Sequence, residues 1–273
     1  MDSERWLTAF RSAAADIGAA LTAHPTTLER AAPVGQGEGG DQTVMIDQAA
    51  EDVIFARLDS LHAAGERFCA VSEERGVVDF GSPEVRVVID PIDGSVNAKR
   101  GLPFYAVSIA VADGPTVGDV VLGFVHDFGS GEEWVAERGA GAWLDGALLD
   151  RELGERRLRD GRIEALAIEL DTRSVGPKLA PLMAATYRVR VLGSMALALC
   201  QVAAARVDGM LTLRRTRSVD VAAAALIVRE AGGHVRFPGL ADPLGAPLDL
   251  VPHAPIAAAR TTATLDELAA IAE

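Results

Sequence analysis

The chain has 273 residues, 26 Lys+Arg against 39 Asp+Glu for a formal net charge of −13, with 49% hydrophobic and 24% charged residues. That composition excludes a disordered chain, and the acidic balance argues against a general nucleic-acid binder, which needs a basic face. At ~150 residues per domain the length predicts two domains, divided here as residues 1–148 and 149–273. The two cysteines, Cys69 and Cys200, have no paired spacing, which predicts neither a disulfide framework nor a zinc site. The first residues, MDSERWLTAF, lack the basic and apolar regions of a signal peptide. The longest apolar run, Val191 to Ala205, is interrupted by Gly193, Ser194 and Gln201 and is too short to cross a bilayer. A cytoplasmic protein without a membrane span is expected.

In chain order, Trp6, Leu7, Phe10, Ala14, Ile17 and Leu21 fall three or four apart and predict an amphipathic helix. A Gly/Pro-rich loop, Pro33 to Gly40, follows and is expected to be mobile. A second helix is predicted over Val44 to Ala64, with Gly65 as its stop. The period then changes. Phe68–Ser72, Val85–Ile89, Tyr105–Ala112, Val120–His126 and Trp134–Glu137 are short apolar or alternating runs that predict strands, and residues 137–143 predict a hairpin ending the first sheet. Beyond an arginine-rich connector, Arg151 to Arg162, strands are predicted at Ala165–Leu170, Arg188–Leu192, Gly209–Leu213, His234–Phe237 and Pro255–Ala259. Helices are predicted near Pro177–Ala185, Met195–Ala205, Val219–Ala231 and Leu265–Ala272. This alternation predicts an α/β sandwich of several layers with a mixed sheet.

The most informative stretch is Val87-Val-Ile-Asp90-Pro-Ile-Asp93-Gly-Ser95. An apolar strand runs into Asp90, Pro91 breaks it, and Asp93-Gly94-Ser95 can open a helix. Two carboxylates three residues apart at a strand end converge, with the Gly94 and Ser95 amides behind them, which is the chemistry of a metal-and-phosphate site. Alone, the pentapeptide reads more readily as a turn capped by Asp, by about two to one. Two other segments add weight: Ser72-Glu73-Glu74 ends another apolar run, and Asp220 stands at the start of an alanine-rich helix, as its N-cap or as a further ligand. Such hard oxygen donors select Mg²⁺ or Mn²⁺.

Gly40-Asp-x-Thr43 followed by Asp47, Ser-Glu73-Glu, Asp90-Pro-Ile-Asp93-Gly-Ser, Gly193-Ser and Asp220-x-Ala-Ala…Glu-Ala-Gly-Gly occur in the order and spacing of the inositol monophosphatase superfamily, which the sequence resembles over nearly its whole length. Within it the chain looks most like the archaeal-type enzymes that hydrolyse both fructose 1,6-bisphosphate and inositol monophosphate. The resemblance implies a layered α/β/α/β/α sandwich with mixed sheets, a phosphate monoester hydrolase, and two or three Mg²⁺ per subunit, with Mn²⁺ as a substitute. It implies a homodimer or homotetramer. It implies that Asp90 bridges two metals, with Glu73 and the Ile92 carbonyl on one and Asp93 and Asp220 on the other. Asp47 and the Ser95 hydroxyl would orient and deprotonate the attacking water, with Glu74 nearby. Gly94, Ser95, Gly193 and Ser194 would hold substrate.

Departures from the family pattern bear on specificity. Ser95 stands where Thr is usual, and Val219 where Trp commonly precedes the aspartate. Leu213 stands where inositol-selective members carry a glutamate that bonds the polyol. Arg214, Arg215 and Arg217 form a basic cluster in an acidic chain, suited to bidentate phosphate recognition; a second substrate phosphate is their expected partner, against the alternative of solvated surface arginines. The five histidines show no ligand spacing. Cys69 and Cys200 are expected as small core residues, and Trp134 and Trp143 as hairpin packing. The Pro33–Gly40 loop is placed to close over the site. Rival readings are a phosphatase for 3′-phosphoadenosine 5′-phosphate or histidinol phosphate, and a non-catalytic phosphate-binding homologue. A Ca²⁺-binding interaction module lacks the EF-hand spacing.

Overall fold

The computed structural model describes residues 2–24, 26–30, 38, 45–170 and 176–273. The Gly40–Thr43 motif and nearly all of the Pro33–Gly40 loop lie outside the described residues. Helix α1 (Ser3–Ala23) starts on Asp2, whose side chain accepts from the Arg5 amide, and buries the predicted stripe from Trp6 to Leu21. A one-turn helix α2 (Thr27–Arg30) and helix α3 (Met45–Ala63) follow. Then come strands β1 (Cys69–Ser72), β2 (Gly76–Asp79) and β3 (Arg86–Asp93), helix α4 (Ser95–Arg100), and strands β4 (Ala106–Ala112), β5 (Val120–Asp127), β6 (Glu133–Glu137), β7 (Gly141–Leu144) and β8 (Ala147–Leu148). The second half runs β9 (Ile163–Glu169), α5 (Leu179–Ala185), β10 (Thr186–Arg190), α6 (Met195–Ala203), β11 (Gly209–Thr212), α7 (Ala222–Glu230), β12 (His234–Arg236), β13 (Ala257–Ala259) and α8 (Thr262–Ala272).

Strands β1–β8 form one sheet in the order β2-β1-β3-β4-β5-β6-β7-β8, antiparallel except for the parallel β1–β3 pair. The other five form a second sheet, β10-β9-β11-β13-β12, in which β10, β9 and β11 are parallel and β13 runs against both of its neighbours. The outer face of the first sheet is covered by α1 and α3, which pack on each other; α6 and α7 fill the space between the sheets, and α5 and α8 cover the second sheet from outside. The fold is therefore an α/β/α/β/α sandwich with mixed sheets. All seven residues of β4, AVSIAVA, are buried, as expected of a strand covered on both faces. One core cluster joins α1 and α3 to the first sheet, and another surrounds α6 and α7 and draws residues from both sheets.

Strand β13 leads directly into Arg260, 5% exposed. It donates from Nη1 to the carbonyls of Ala203 (3.1 Å) and Ala231 (2.8 Å), and from Nε to Leu153 O at 2.8 Å. The C-terminal ends of both central helices, whose last carbonyls have no partner within the helix, are thus tied to one guanidinium.

Several expectations need correction. The first sheet does not end at the β6–β7 hairpin, because β8 adds a further short strand. Strand β2 and helix α2 were not expected at all. Cys69 is partly exposed, whereas Cys200 is buried as expected. Among the described residues no helix is long and apolar enough to cross a membrane.

Candidate active site

Strand β3 carries Asp90 and Asp93 to the edge of the interior. Asp90 pairs with Ser108 and Asp93 with Ala106, so three residues advance on β3 against two on β4. The extra residue follows from Pro91, which has no N–H for the ladder, and such a bulge bends the strand and re-aims its side chains. The turn is closed by Asp90 Oδ1, which accepts from the Ile92 amide at 3.1 Å. Gly94 then takes φ +92°, and a Cβ there would stand 2.7 Å from Phe104 O and 3.0 Å from Gly193 O. Only glycine fits, and this close approach brings the α4 N-terminus against the 193–194 turn.

Glu73, one residue past β1, and Asp220, in the turn before α7, bring carboxylates to Asp90. Oxygens of Glu73, Asp90 and Asp220 all lie within 4.8 Å of one another. Three carboxylates so close, with little water to screen them, resist ionisation. Burial first, then the neighbouring charges of Glu73, Asp93 and Asp220, push Asp90 well above its ordinary range. Burial raises Glu73 to about 7 against the opposing pull of Arg217. Burial also raises Asp220, again against Arg217. Asp220 is not the N-cap of α7; Val221 takes that place without a side-chain bond, which leaves the Asp220 carboxylate to the cluster.

Asp93 lies outside that triple. Its carboxylate accepts from the Ser194 hydroxyl and from the amides of Met195 (3.2 Å) and Ala196 (2.7 Å) at the start of α6. Burial raises its pKa to about 7 in spite of these bonds. Ser194 also caps α6 by accepting from Leu197 N at 3.2 Å, and it is 1% exposed. The expectation that Ser194 faces substrate is therefore corrected: it does not line the cavity but sits behind Asp93. The Ser95 hydroxyl donates to Ile92 O at 3.0 Å, joining the two groups singled out in this turn.

These side chains surround a cavity of about 390 Å³, within the size range of small-molecule sites. Asp47, Glu73, Glu74, Asp90, Ile92, Asp93, Gly94, Ser95, Gly193 and Asp220 all line it, although they come from separate segments of both halves. Five further residues that the sequence did not mark as site residues also line it. Lys99, one of only two lysines in the chain, stands 3.5 Å from Asp47 Oδ2. Glu169 ends β9 and accepts from the amides of Leu192 (3.1 Å) and Gly193 (2.9 Å), holding the 192–194 turn; burial raises its pKa. Its place at the carboxyl end of a parallel strand, where open α/β sheets bind ligands, was the available signal. Val96, Leu170 and Met195 complete the group.

The arginine cluster divides. Arg214 and Arg217 line the cavity, but Arg215 does not and is exposed. Arg217 Nη2 lies 2.8 Å from Glu73 Oε1 and 3.0 Å from Asp220 Oδ1, so it faces the carboxylates rather than open cavity. Leu213 is buried in the core formed by the second sheet with α5 and α8 and takes no part in the site.

A sequence model described as the inositol monophosphatase family matches residues 2–273. The chain is 36% identical over 213 residues to the fructose-1,6-bisphosphatase/inositol-1-monophosphatase of Methanothermobacter thermautotrophicus, covering 74% of this chain and 73% of that one. It is 37% identical over 199 residues to the inositol-1-monophosphatase of Mesorhizobium japonicum, covering 72% of each. Among solved structures, that of an inositol monophosphatase–fructose 1,6-bisphosphatase superposes with a TM-score of 0.83 at 28% identity, over 97% of this chain and 99% of the other.

Proposed function

Because the chain belongs to the inositol monophosphatase family, we propose that it is a Mg²⁺-dependent phosphate monoester hydrolase acting on a sugar or polyol phosphate, with fructose 1,6-bisphosphate and inositol monophosphate as the substrates to test first. The observation that carries this reading is the triple of carboxylates, Glu73, Asp90 and Asp220, on the wall of a cavity large enough for such a substrate. An all-oxygen, all-carboxylate donor set whose members resist ionisation fits a hard divalent cation, which supplies the charge they lack.

In this reading Asp90 would serve two ions, with Glu73 and the Ile92 carbonyl helping to hold one and Asp93 and Asp220 the other, two or three ions per subunit, with Mn²⁺ able to replace Mg²⁺. When bound, the metal would supply the positive field that admits a phosphate dianion and offsets charge on the leaving oxygen. The Gly94 and Ser95 amides and Gly193 position the phosphate. Asp47 and the Ser95 hydroxyl orient the attacking water, and a carboxylate oxygen of Asp47 takes its proton, with Glu74 alongside. Lys99, 3.5 Å from Asp47 Oδ2, helps to orient that carboxylate. Glu169 keeps Gly193 in place through its two amide bonds. Arg214 is the cavity arginine suited to a second phosphate. Residues 1–148 and 149–273 act as two halves, each forming one wall of the site. Phosphate release from fructose 1,6-bisphosphate, inositol 1-phosphate, 3′-phosphoadenosine 5′-phosphate and histidinol phosphate, with Mg²⁺ and with chelator, tests the reading. Preference for either of the last two would replace the proposed substrate class, and release from none would favour a binding role.

A homodimer, or a homotetramer built from it, is the assembly we propose. Strand β10 is an edge of the second sheet, and Tyr187, Val189, Val191, Leu102 and Phe104 are exposed apolar residues. Phe104 and Leu192 line one groove, which makes this apolar surface continuous with the edge. An exposed edge strand is ready to pair with another chain.

A further inference from the structure

We propose that Arg217 is an internal cation that occupies the metal-facing oxygens of Glu73 and Asp220, so that a divalent ion must displace it to enter and binds more weakly than the carboxylates alone would allow. The inference rests on the reading of Glu73, Asp90 and Asp220 as metal ligands.

The geometry is specific. Nη2 bridges Glu73 Oε1 (2.8 Å) and Asp220 Oδ1 (3.0 Å), and Nε reaches Asp220 Oδ2 at 3.3 Å. The guanidinium thus grips Asp220 through both oxygens and ties it to Glu73. These are two of the three residues whose oxygens lie within 4.8 Å of one another. A Mg²⁺ ion needs oxygens at about 2.1 Å in near-octahedral order, and a guanidinium in hydrogen-bond contact with the same oxygens competes for their lone pairs and repels the incoming charge. Such charge-assisted, bidentate bonds are the strong ones in proteins. A guanidinium stays protonated in proteins, so the arginine cannot escape by losing its charge. It has to move. Its side chain is 17% exposed and borders the cavity, so the path open to it leads into the space where substrate binds.

Mn²⁺ titration, followed by calorimetry or by the electron paramagnetic resonance signal of free Mn²⁺, tests this on the full chain without reference to turnover. The variants are Arg217→Met, Arg217→Lys and Asp90→Asn. Arg217→Met keeps much of the stem and removes the cation; the expected result is a Kd for Mn²⁺ lower by about tenfold or more, the scale of one broken charged contact. The metal-free Met variant should also melt lower than the wild type and gain more on Mn²⁺ addition. An arginine with a merely structural role would give the opposite, weaker binding from a damaged site. Arg217→Lys retains one charge without the fork and should fall between the two, which keeps the test available if the Met variant does not fold. Unchanged or weakened Mn²⁺ binding in folded Met and Lys variants overturns the proposal, provided that wild-type binding depends on Asp90. If Mn²⁺ binding is absent from the wild type, or is the same in Asp90→Asn, the metal-site reading itself falls and this proposal with it.

Discussion

Asp93, at the end of a strand in the first sheet, accepts the Ser194 hydroxyl and two amides at the start of α6 in the second half of the chain. One carboxylate therefore closes the α6 N-terminus, favourable there for its negative charge, and at the same time lines the cavity. The junction of the two halves and the wall of the site are the same atoms.

Ser194→Ala removes both the bond to Asp93 and the side-chain cap of α6. A lost cap costs about 1 kcal/mol, read as a lower melting temperature. Loss of a partner that orients a ligand typically costs ~10–100-fold in metal affinity or activity, so Mg²⁺-dependent turnover should fall within that range. Unaltered turnover would show that Asp93 does not need this support.

The acidic cluster links metal, proton and stability. Glu73 and Asp93 are raised from ordinary values of 4.5 and 3.8 to about 7, and Asp90 and Asp220 are raised as well. Between the unfolded and folded values the native state holds more protons than the unfolded one, so the metal-free protein loses stability as pH rises from about 4 to about 7. Below that window these groups are protonated in both states and their contribution is fully present. Mg²⁺ bound at this cluster would take over the role of those protons. The increase in melting temperature on adding Mg²⁺ should therefore be small near pH 5 and grow toward pH 8; an increase independent of pH would contradict the cluster as the metal site.

Much of this site was legible in sequence. Asp90 and Asp93 were visible because an apolar strand runs into them, although Pro91, expected to break that strand, only bulges it and β3 continues to Asp93. Glu73 was visible because it follows directly on another strand. The division of the arginines was not: residues 214, 215 and 217 are near in sequence, yet only two of them turn toward the cavity. Glu169 and Lys99 reach the cavity through sheet order and an α4 turn, which one local window does not display. The layered fold followed from the alternation of elements, whereas β2 and β8, four and two residues long, are too short to show a period.

Arg214 and Arg215 provide an internal comparison. Arg214→Ala should raise KM for fructose 1,6-bisphosphate more than for inositol 1-phosphate, because only the first carries a second phosphate. Arg215→Ala should alter neither. Equal effects of Arg214→Ala on both substrates would remove it from the recognition of a second phosphate.

Arg260 tests the framework rather than the chemistry. Arg260→Ala would leave the buried carbonyls of Ala203 and Ala231 without their donor, and hydrogen bonds to a charged group contribute about 1.5–3 kcal/mol each, so a destabilisation of about 3 kcal/mol is expected in denaturant unfolding. A change under about 0.5 kcal/mol, the range of ordinary surface substitutions, would show that the two helix ends are secured by other means.

The most direct test of the central claim is phosphate release from fructose 1,6-bisphosphate and inositol 1-phosphate, with and without Mg²⁺, by the wild type and Asp90→Asn. Asp90 belongs to the carboxylate triple and is nearly fully buried, so the account predicts release that requires Mg²⁺ and falls in the variant by more than the ~100-fold upper range for outer-shell partners. Release that persists without metal, or an Asp90→Asn variant as active as the wild type, would contradict it.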